Sequence, residues 1–161
     1  MIKHIAEEIQ DFPVTSRDLA WLFIGKLIST GSERTVYEHA QDPTLVVKYQ
    51  SGEGFQNIFE WEVWQCVKGT KAAKWFAPVV DISPNGHFLI MKKAESLPNG
   101  YFPKKIPAMI GDQKYKNFGM IGKQFVCIDY GTAHILALNK SLKVKKLEMK
   151  KAEWWDPQRI D

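Results

Sequence analysis

Cysteine is scarce in this chain. Only Cys66 and Cys127 occur among 161 residues, too few for a disulfide framework and suited to a reducing compartment. Histidine is scarce as well, and His4, His39, His87 and His134 stand far apart, without the paired Cys/His spacing that a zinc site uses. No run approaches the roughly 18 apolar residues of a membrane-crossing helix, so no membrane association is expected. The opening residues Met1-Ile2-Lys3-His4-Ile5-Ala6-Glu7-Glu8 carry acids early and lack an apolar centre, which argues against a secretory signal. These absences together lead to an expected cytoplasmic location. Internal repeats and low-complexity tracts are missing too.

What is present has the balance of one ordinary domain: 18.5 kDa, 45% apolar and 25% charged residues, enough to bury a core without disulfides or metals. The net charge of +4 is unevenly spread. Six lysines between Lys140 and Lys151 face one acid, Glu148, so this stretch carries +5 and the remainder about −1. A basic stripe of this kind can follow nucleic-acid phosphates or an acidic partner, or simply form a solvated face.

Hydrophobic patterning gives an order of elements. Ile2, Ile5, Ala6 and Ile9 fall at helical spacing, and Pro13 ends that helix. Residues 21–28 are rich in strand formers, residues 29–33 read as a turn, and Arg34–His39 alternates like a strand. Thr44–Tyr49 follows the Asp42-Pro43 turn as a third strand, completing an antiparallel meander. A helix is predicted over Phe55–Lys68, closed by Gly69, with a shorter helical piece at Lys71–Phe76. Strands at Val79–Ser83 and His87–Lys93 flank the turn Ser83-Pro84-Asn85-Gly86. Three prolines and a glycine between Ser96 and Pro107 predict an irregular linker, and a small hairpin at Phe118–Ile121 and Gln124–Ile128 comes after it. The tail from Thr132 has no single reading.

Three segments carry chemistry-bearing residues in this order. Val46-Val47-Lys48 resembles the strand lysine motif V-A-I-K of protein kinases. Asp112-Gln113-Lys114-Tyr115-Lys116-Asn117 resembles their catalytic loop, D-x-x-x-x-N, and Asp129-Tyr130-Gly131, following an apolar strand, resembles D-F-G. The chain thus resembles the protein kinase superfamily. The implied fold is α+β, with a kinase-like N-terminal lobe at 20–95 (a five-stranded antiparallel sheet plus one long helix) and a strongly reduced C-terminal lobe at 96–161, all within one domain. Of two helix glutamates that could pair with the lysine, Glu60 lies on the apolar face with Val63, Trp64 and Val67, and Glu62 points away from it. Glu60 is the expected partner.

The resemblance implies roles. ATP and Mg²⁺ are the expected cofactors. Lys48, held by Glu60, faces the nucleotide phosphates; Asp129 binds Mg²⁺, and Asn117 binds a second metal or fixes the loop; Asp112 orients the attacking hydroxyl and accepts its proton. Lys114 matches the lysine of serine/threonine-directed kinases. Ile28, Val36 and Val46 fall where the family's adenine-sandwiching residues sit, and plain core packing is their alternative role. Gly31 is the one glycine kept from the phosphate-covering loop, aligned as Ser29-Thr30-Gly31-Ser32-Glu33-Arg34-Thr35-Val36. Arg34 replaces its last glycine, so its side chain either reaches a phosphate or blocks the loop.

Other departures are plain. The H-R-D triplet reads Ile110-Gly111-Asp112, nearer the H-G-D of aminoglycoside phosphotransferase-type kinases. Eighteen residues separate Lys93 from Asp112 and thirty follow Gly131, too few for the helices of a standard C-terminal lobe. This economy looks like small kinase-like proteins of bacterial viruses, which would place it in the host cytoplasm. Two functions of different class follow. One is a minimal phosphotransferase acting on a protein hydroxyl or on itself. The other is a kinase-like binding module, without turnover, that inhibits or redirects a partner protein. Nucleic-acid binding through Lys140–Lys151 is a further option. A paired aromatic, Trp154-Trp155, either folds back or anchors a partner, and a homodimer is expected.

Overall fold

The computed structural model describes residues 22–133 and 147–154. The N-terminal helix expected over the first ten residues, Trp155, and the basic segment up to Lys146 lie outside the described residues. Among the described residues, the elements run in the order β1 (Ile24–Thr30), β2 (Arg34–His39), β3 (Leu45–Gln50), α1 (Gln56–Val67), β4 (Val79–Ile82), β5 (Phe88–Lys92), β6 (Lys105–Pro107), β7 (Phe118–Ile121), β8 (Gln124–Cys127) and β9 (Met149–Lys151). Short 3₁₀ turns at Ala73–Trp75, Tyr115–Asn117 and Gly131–Ala133 join them. Among the described residues, no helix is long and apolar enough to cross a membrane.

The first five strands form one antiparallel sheet in the order β1-β2-β3-β5-β4. This is the five-stranded sheet plus one helix expected from the sequence. α1 interrupts the meander, so the strand pairing with β3 is β5, by way of β4. Side chains alternate across the pleat. Tyr37 and Tyr49 form a small cluster with Ile24, Leu27 and Phe88. Val46, Leu89 and Met91 join the main core, which α1 enters with Val63, Cys66 and Val67. The two cysteines are free and buried.

α1 lacks a side-chain N-cap of its own, since Phe55 occupies that position. Gln50, at the end of β3, supplies the missing acceptor: its Oε1 receives the Asn57 backbone N–H at 3.0 Å, satisfying one of the orphan donors of a helix start. The other end stops at Gly69, whose φ of +78° is left-handed.

Three elements differ from the sequence expectation by more than one residue at an end. The helical piece expected at Lys71–Phe76 is a single 3₁₀ turn, Ala73–Trp75. β1 continues through Ser29 and Thr30, which pair with Val36 and Thr35. The turn shrinks to residues 31–33, closed by Gly31 N–H donating to the Arg34 carbonyl at 2.8 Å. The expected linker 96–107 contains β6, because Lys105–Pro107 finds a ladder partner in β9 far along the chain. Periodicity within one segment cannot reveal such a partner.

The second half attaches through specific contacts. Glu95 exchanges two backbone hydrogen bonds with Met120, each 2.8 Å, tying the chain leaving the sheet to the β7–β8 hairpin. Gly119 permits the approach: a Cβ there would stand 2.7 Å from the Glu95 carbonyl oxygen. Trp154 folds back onto the hairpin. It meets Phe118 edge-on at 4.9 Å and donates its indole N–H to the Pro103 carbonyl at 2.9 Å.

Candidate functional site

β3 sets the site through register. Val46, Lys48 and Gln50 project to the face that carries α1, and the pairing places Val36 opposite Lys48 and Met91 opposite Val46. An amine at this position is buried beneath the sheet, and Lys48 is only 5% exposed. α1 answers with a carboxylate. Glu60, fully buried, receives the Lys48 ammonium at 2.9 Å on Oε2 and 3.2 Å on Oε1. Lys48 Nζ also donates to the Ile128 carbonyl. It is therefore Glu60 rather than Glu62 that meets the strand lysine, because only Glu60 shares the inward stripe with Asn57, Val63 and Val67.

The Asp129-Tyr130-Gly131 segment is fastened to the same carboxylate. The Tyr130 backbone N–H donates to Glu60 Oε1 at 3.0 Å, and its phenol donates to the Ala77 carbonyl at 2.8 Å. The ring packs edge-on against Phe76, with centroids 4.9 Å apart. Gly131 lies against the start of α1, where a Cβ would stand 2.4 Å from Gln56 Oε1 and 3.3 Å from its carbonyl oxygen. Asp129 is left with a half-exposed side chain facing the cleft.

Arg34 completes the cluster. It opens β2, and its guanidinium lies between the two acids: Nη1 to Glu60 Oε2 at 2.9 Å, Nη2 to Glu60 Oε1 at 3.2 Å, and Nη2 to Asp129 Oδ1 at 2.7 Å. Its side chain is 10% exposed. Of the two roles open to Arg34 from the sequence, the structure places it inside the cleft, against the acids. Burial alone would raise the Glu60 carboxyl, and is the largest single influence on it. The charges of Lys48 and then Arg34, with their hydrogen bonds, together outweigh burial and hold it at about 2. Two cations thus face two carboxylates in a compact neutral cluster.

Asn57 is the residue that sequence reasoning missed. Fully buried on the first turn of α1, it shares its two Nδ2 hydrogens among the carbonyls of Lys48, Gly86 and His87, and its Oδ1 lies 3.4 Å from Arg34 Nη1. Its signal was available: it stands three residues before Glu60, a second polar side chain on an otherwise apolar stripe.

The cleft these elements enclose measures about 740 Å³, within the usual range for small-molecule sites. Nine of the ten residues singled out from the sequence line it: Ile28, Gly31, Val36, Val46, Lys48, Asp112, Lys114, Asn117 and Asp129. Glu60, the tenth, stands behind Lys48. Ile28 is 46% exposed and Val46 is buried, so the apolar wall is open at one end. Across from it, the Lys114 ammonium meets Asp112 Oδ2 at 3.1 Å, and the Lys114 backbone N–H reaches Oδ1 at 3.3 Å. Asn117 is buried and held by its backbone, donating to the Lys114 carbonyl at 2.9 Å and accepting from Ile128 N–H at 2.8 Å. The preceding loop is tied to the tail, since the Gln113 side-chain oxygen accepts the Glu153 backbone N–H at 2.5 Å.

The donor set fits a magnesium ion poorly. Mg²⁺ requires near-octahedral oxygen ligation at about 2.1 Å and is usually anchored by carboxylates. Here Asp129 is engaged by Arg34 and Asp112 by Lys114. Among the described residues, no three of His, Cys, Asp and Glu are grouped to hold a metal. Compared with known proteins, the chain matches no protein-family model and no curated sequence.

Proposed function

We propose that this chain is a kinase-like phosphotransferase that takes ATP in the 740 Å³ cleft and passes the γ-phosphoryl group to a protein hydroxyl, its own included. One observation carries the reading: a buried Lys48–Glu60 pair from strand and helix forms the back of a cleft whose opposite wall carries Asp112, Asn117 and Asp129. Charge develops on phosphate oxygens in this reaction, so positioned cations and a base for the hydroxyl proton are the chemistry needed. Lys48 supplies positive charge beside the phosphates. The attacking hydroxyl oxygen bonds to the γ-phosphorus, the bond to the β–γ bridging oxygen breaks, and ADP leaves. The hydroxyl proton passes to Asp112, with Lys114 beside it. Val36 and Val46 offer an apolar surface to the base. The kinase-like identity of the fold, its placement in the cytoplasm and its viral type belong to the same proposal.

The test is labelling with γ-³²P-ATP, alone and with a cell lysate. Label should appear on the chain or on a lysate protein, and Asp112→Asn should abolish it while leaving the ATP-induced rise in melting temperature intact. Labelling that persists in Asp112→Asn would remove Asp112 from its role.

A second reading is favoured by the engagement of both cleft aspartates with cations. In it, the domain binds nucleotide without turnover and acts by gripping a protein partner. A rise in melting temperature with ATP, together with no transfer of label to any acceptor, selects it.

A further inference from the structure

We propose that Arg34 takes the place of the divalent cation in this cleft, so that the chain binds a nucleoside triphosphate without metal. The inference rests on the nucleotide-binding reading above and concerns the counter-charge.

A metal in a phosphoryl-transfer site does two things: it neutralises phosphate charge, and it bridges an acidic side chain to phosphate oxygens. Arg34 is built into the position to do both. Its guanidinium lines the cleft and grips Asp129 Oδ1 at 2.7 Å. On its inner side it spans both oxygens of the fully buried Glu60, at 2.9 and 3.2 Å, so its location is fixed before any ligand arrives. A guanidinium presents five N–H donors in a planar fork and matches phosphate oxygens well. Its charge is permanent, and the neighbouring Glu60 and Asp129 carboxylates more than offset the effect of burial.

The charge balance points the same way. Lys48 and Arg34 offset Glu60 and Asp129, and Lys114 offsets Asp112. Glu60, Asp129 and Asp112 each face a cation, so a divalent ion at Asp129 would enter a place already compensated, and would have to displace Arg34. The arrival of a triphosphate, by contrast, adds negative charge beside two cations. The backbone explains why an arginine can stand here. β1 runs through Thr30 and the turn closes at Gly31 N–H to Arg34 carbonyl. This brings the first residue of β2 directly over the start of α1, where Asn57 Oδ1 also faces the guanidinium.

The experiment is calorimetric titration of the whole chain with ATP, once in excess EDTA and once in millimolar MgCl₂, for wild type, Arg34→Lys and Arg34→Ala. Wild type should bind about equally in both buffers. Arg34→Ala should weaken binding in EDTA about tenfold or more, the scale of a lost charge-assisted hydrogen bond, and Arg34→Lys should recover part of the loss. Binding by wild type that strengthens about tenfold or more with Mg²⁺ overturns the proposal and leaves the nucleotide reading standing. No binding in either buffer overturns both. Should Arg34→Ala fail to fold, the wild-type comparison decides the question alone.

Discussion

Replacing Glu60 by glutamine tests the centre of the structure most directly. The side chain keeps its shape and loses its charge. Its carboxylate accepts from Lys48, Arg34 and the Tyr130 backbone N–H, so the variant leaves two nearly buried cations with Asp129 as the one remaining carboxylate of the cluster. Removing one partner of a buried ion pair costs about 3–5 kcal/mol. A second route gives a similar figure. Glu60 ionises at about 2 in place of 4.5, and at 1.36 kcal/mol per pH unit that difference corresponds to about 3 kcal/mol. The sign follows from the depressed value. The contribution is complete above the unfolded pKa of 4.5 and is lost as pH falls toward about 2. Urea denaturation at neutral pH should therefore show Glu60→Gln less stable by about 3 kcal/mol, a midpoint shift of roughly 2 M for a domain of this size. The gap between variant and wild type should narrow steadily below pH 4.5, because the unfolded wild-type chain then takes up a proton that the folded one does not. A loss under about 1 kcal/mol, or a gap that stays constant from pH 7 to 3, would refute the assignment of Glu60 as the charge that holds the cluster.

Other positions give separable outcomes. Asn57→Ala removes the amide shared by the Lys48, Gly86 and His87 carbonyls, of which His87 keeps the Gln50 backbone N–H, and should cost about 1–3 kcal/mol, with faster hydrogen exchange at the start of α1. Gly119→Ala forces a methyl within 2.7 Å of the Glu95 carbonyl oxygen, and should destabilise by about 1–3 kcal/mol while the exchange of the Glu95 and Met120 amides rises. Trp154→Ala removes a ring packed on Phe118 and Phe125, with an expected loss on the order of 3 kcal/mol and earlier proteolysis around β9. The homodimer inferred from sequence is checked by light scattering at working concentration, where a monomer mass rejects it.

Much of this arrangement was legible along the chain, because local pattern and global position agree. The strands of the sheet alternate or run apolar as strands should, and the stripe through Glu60, Val63 and Val67 marks the inward carboxylate in the sequence itself. The spacing of Asp112, Asn117 and Asp129 selected residues that all line one cleft. What remained hidden depends on partners distant in sequence. Nothing near Lys105 announces a ladder with Lys151, and a strand of three residues in a proline-rich stretch has no period to detect. Trp154 carried two readings until its indole N–H met Pro103. Arg34 could reach a phosphate or fill the loop, and only the register of β1 on β2 shows that its fork meets Glu60 and Asp129.

The cation–carboxylate cluster also makes folding and site formation one event. Glu60 comes from α1, Lys48 from β3, Arg34 from β2, and Tyr130 and Asp129 from the segment after β8; each reaches the same carboxylate or its neighbour. Withdrawal of α1 would leave Lys48 and Arg34 without their shared buried carboxylate, which is costly. Such a cluster resists partial opening, so the back of the cleft should stay formed until global unfolding. Asp129 differs from the rest: about half exposed and joined to the cluster by Arg34 alone, it can exchange partners at little cost. Ligand-driven change should therefore appear at the Arg34–Asp129 contact and spare Lys48–Glu60. Chemical-shift mapping with ATP would show this as movement at Asp129 and the 31–34 turn, with Tyr130 undisturbed; a displaced Tyr130 amide would mean that the Glu60 node opens on binding.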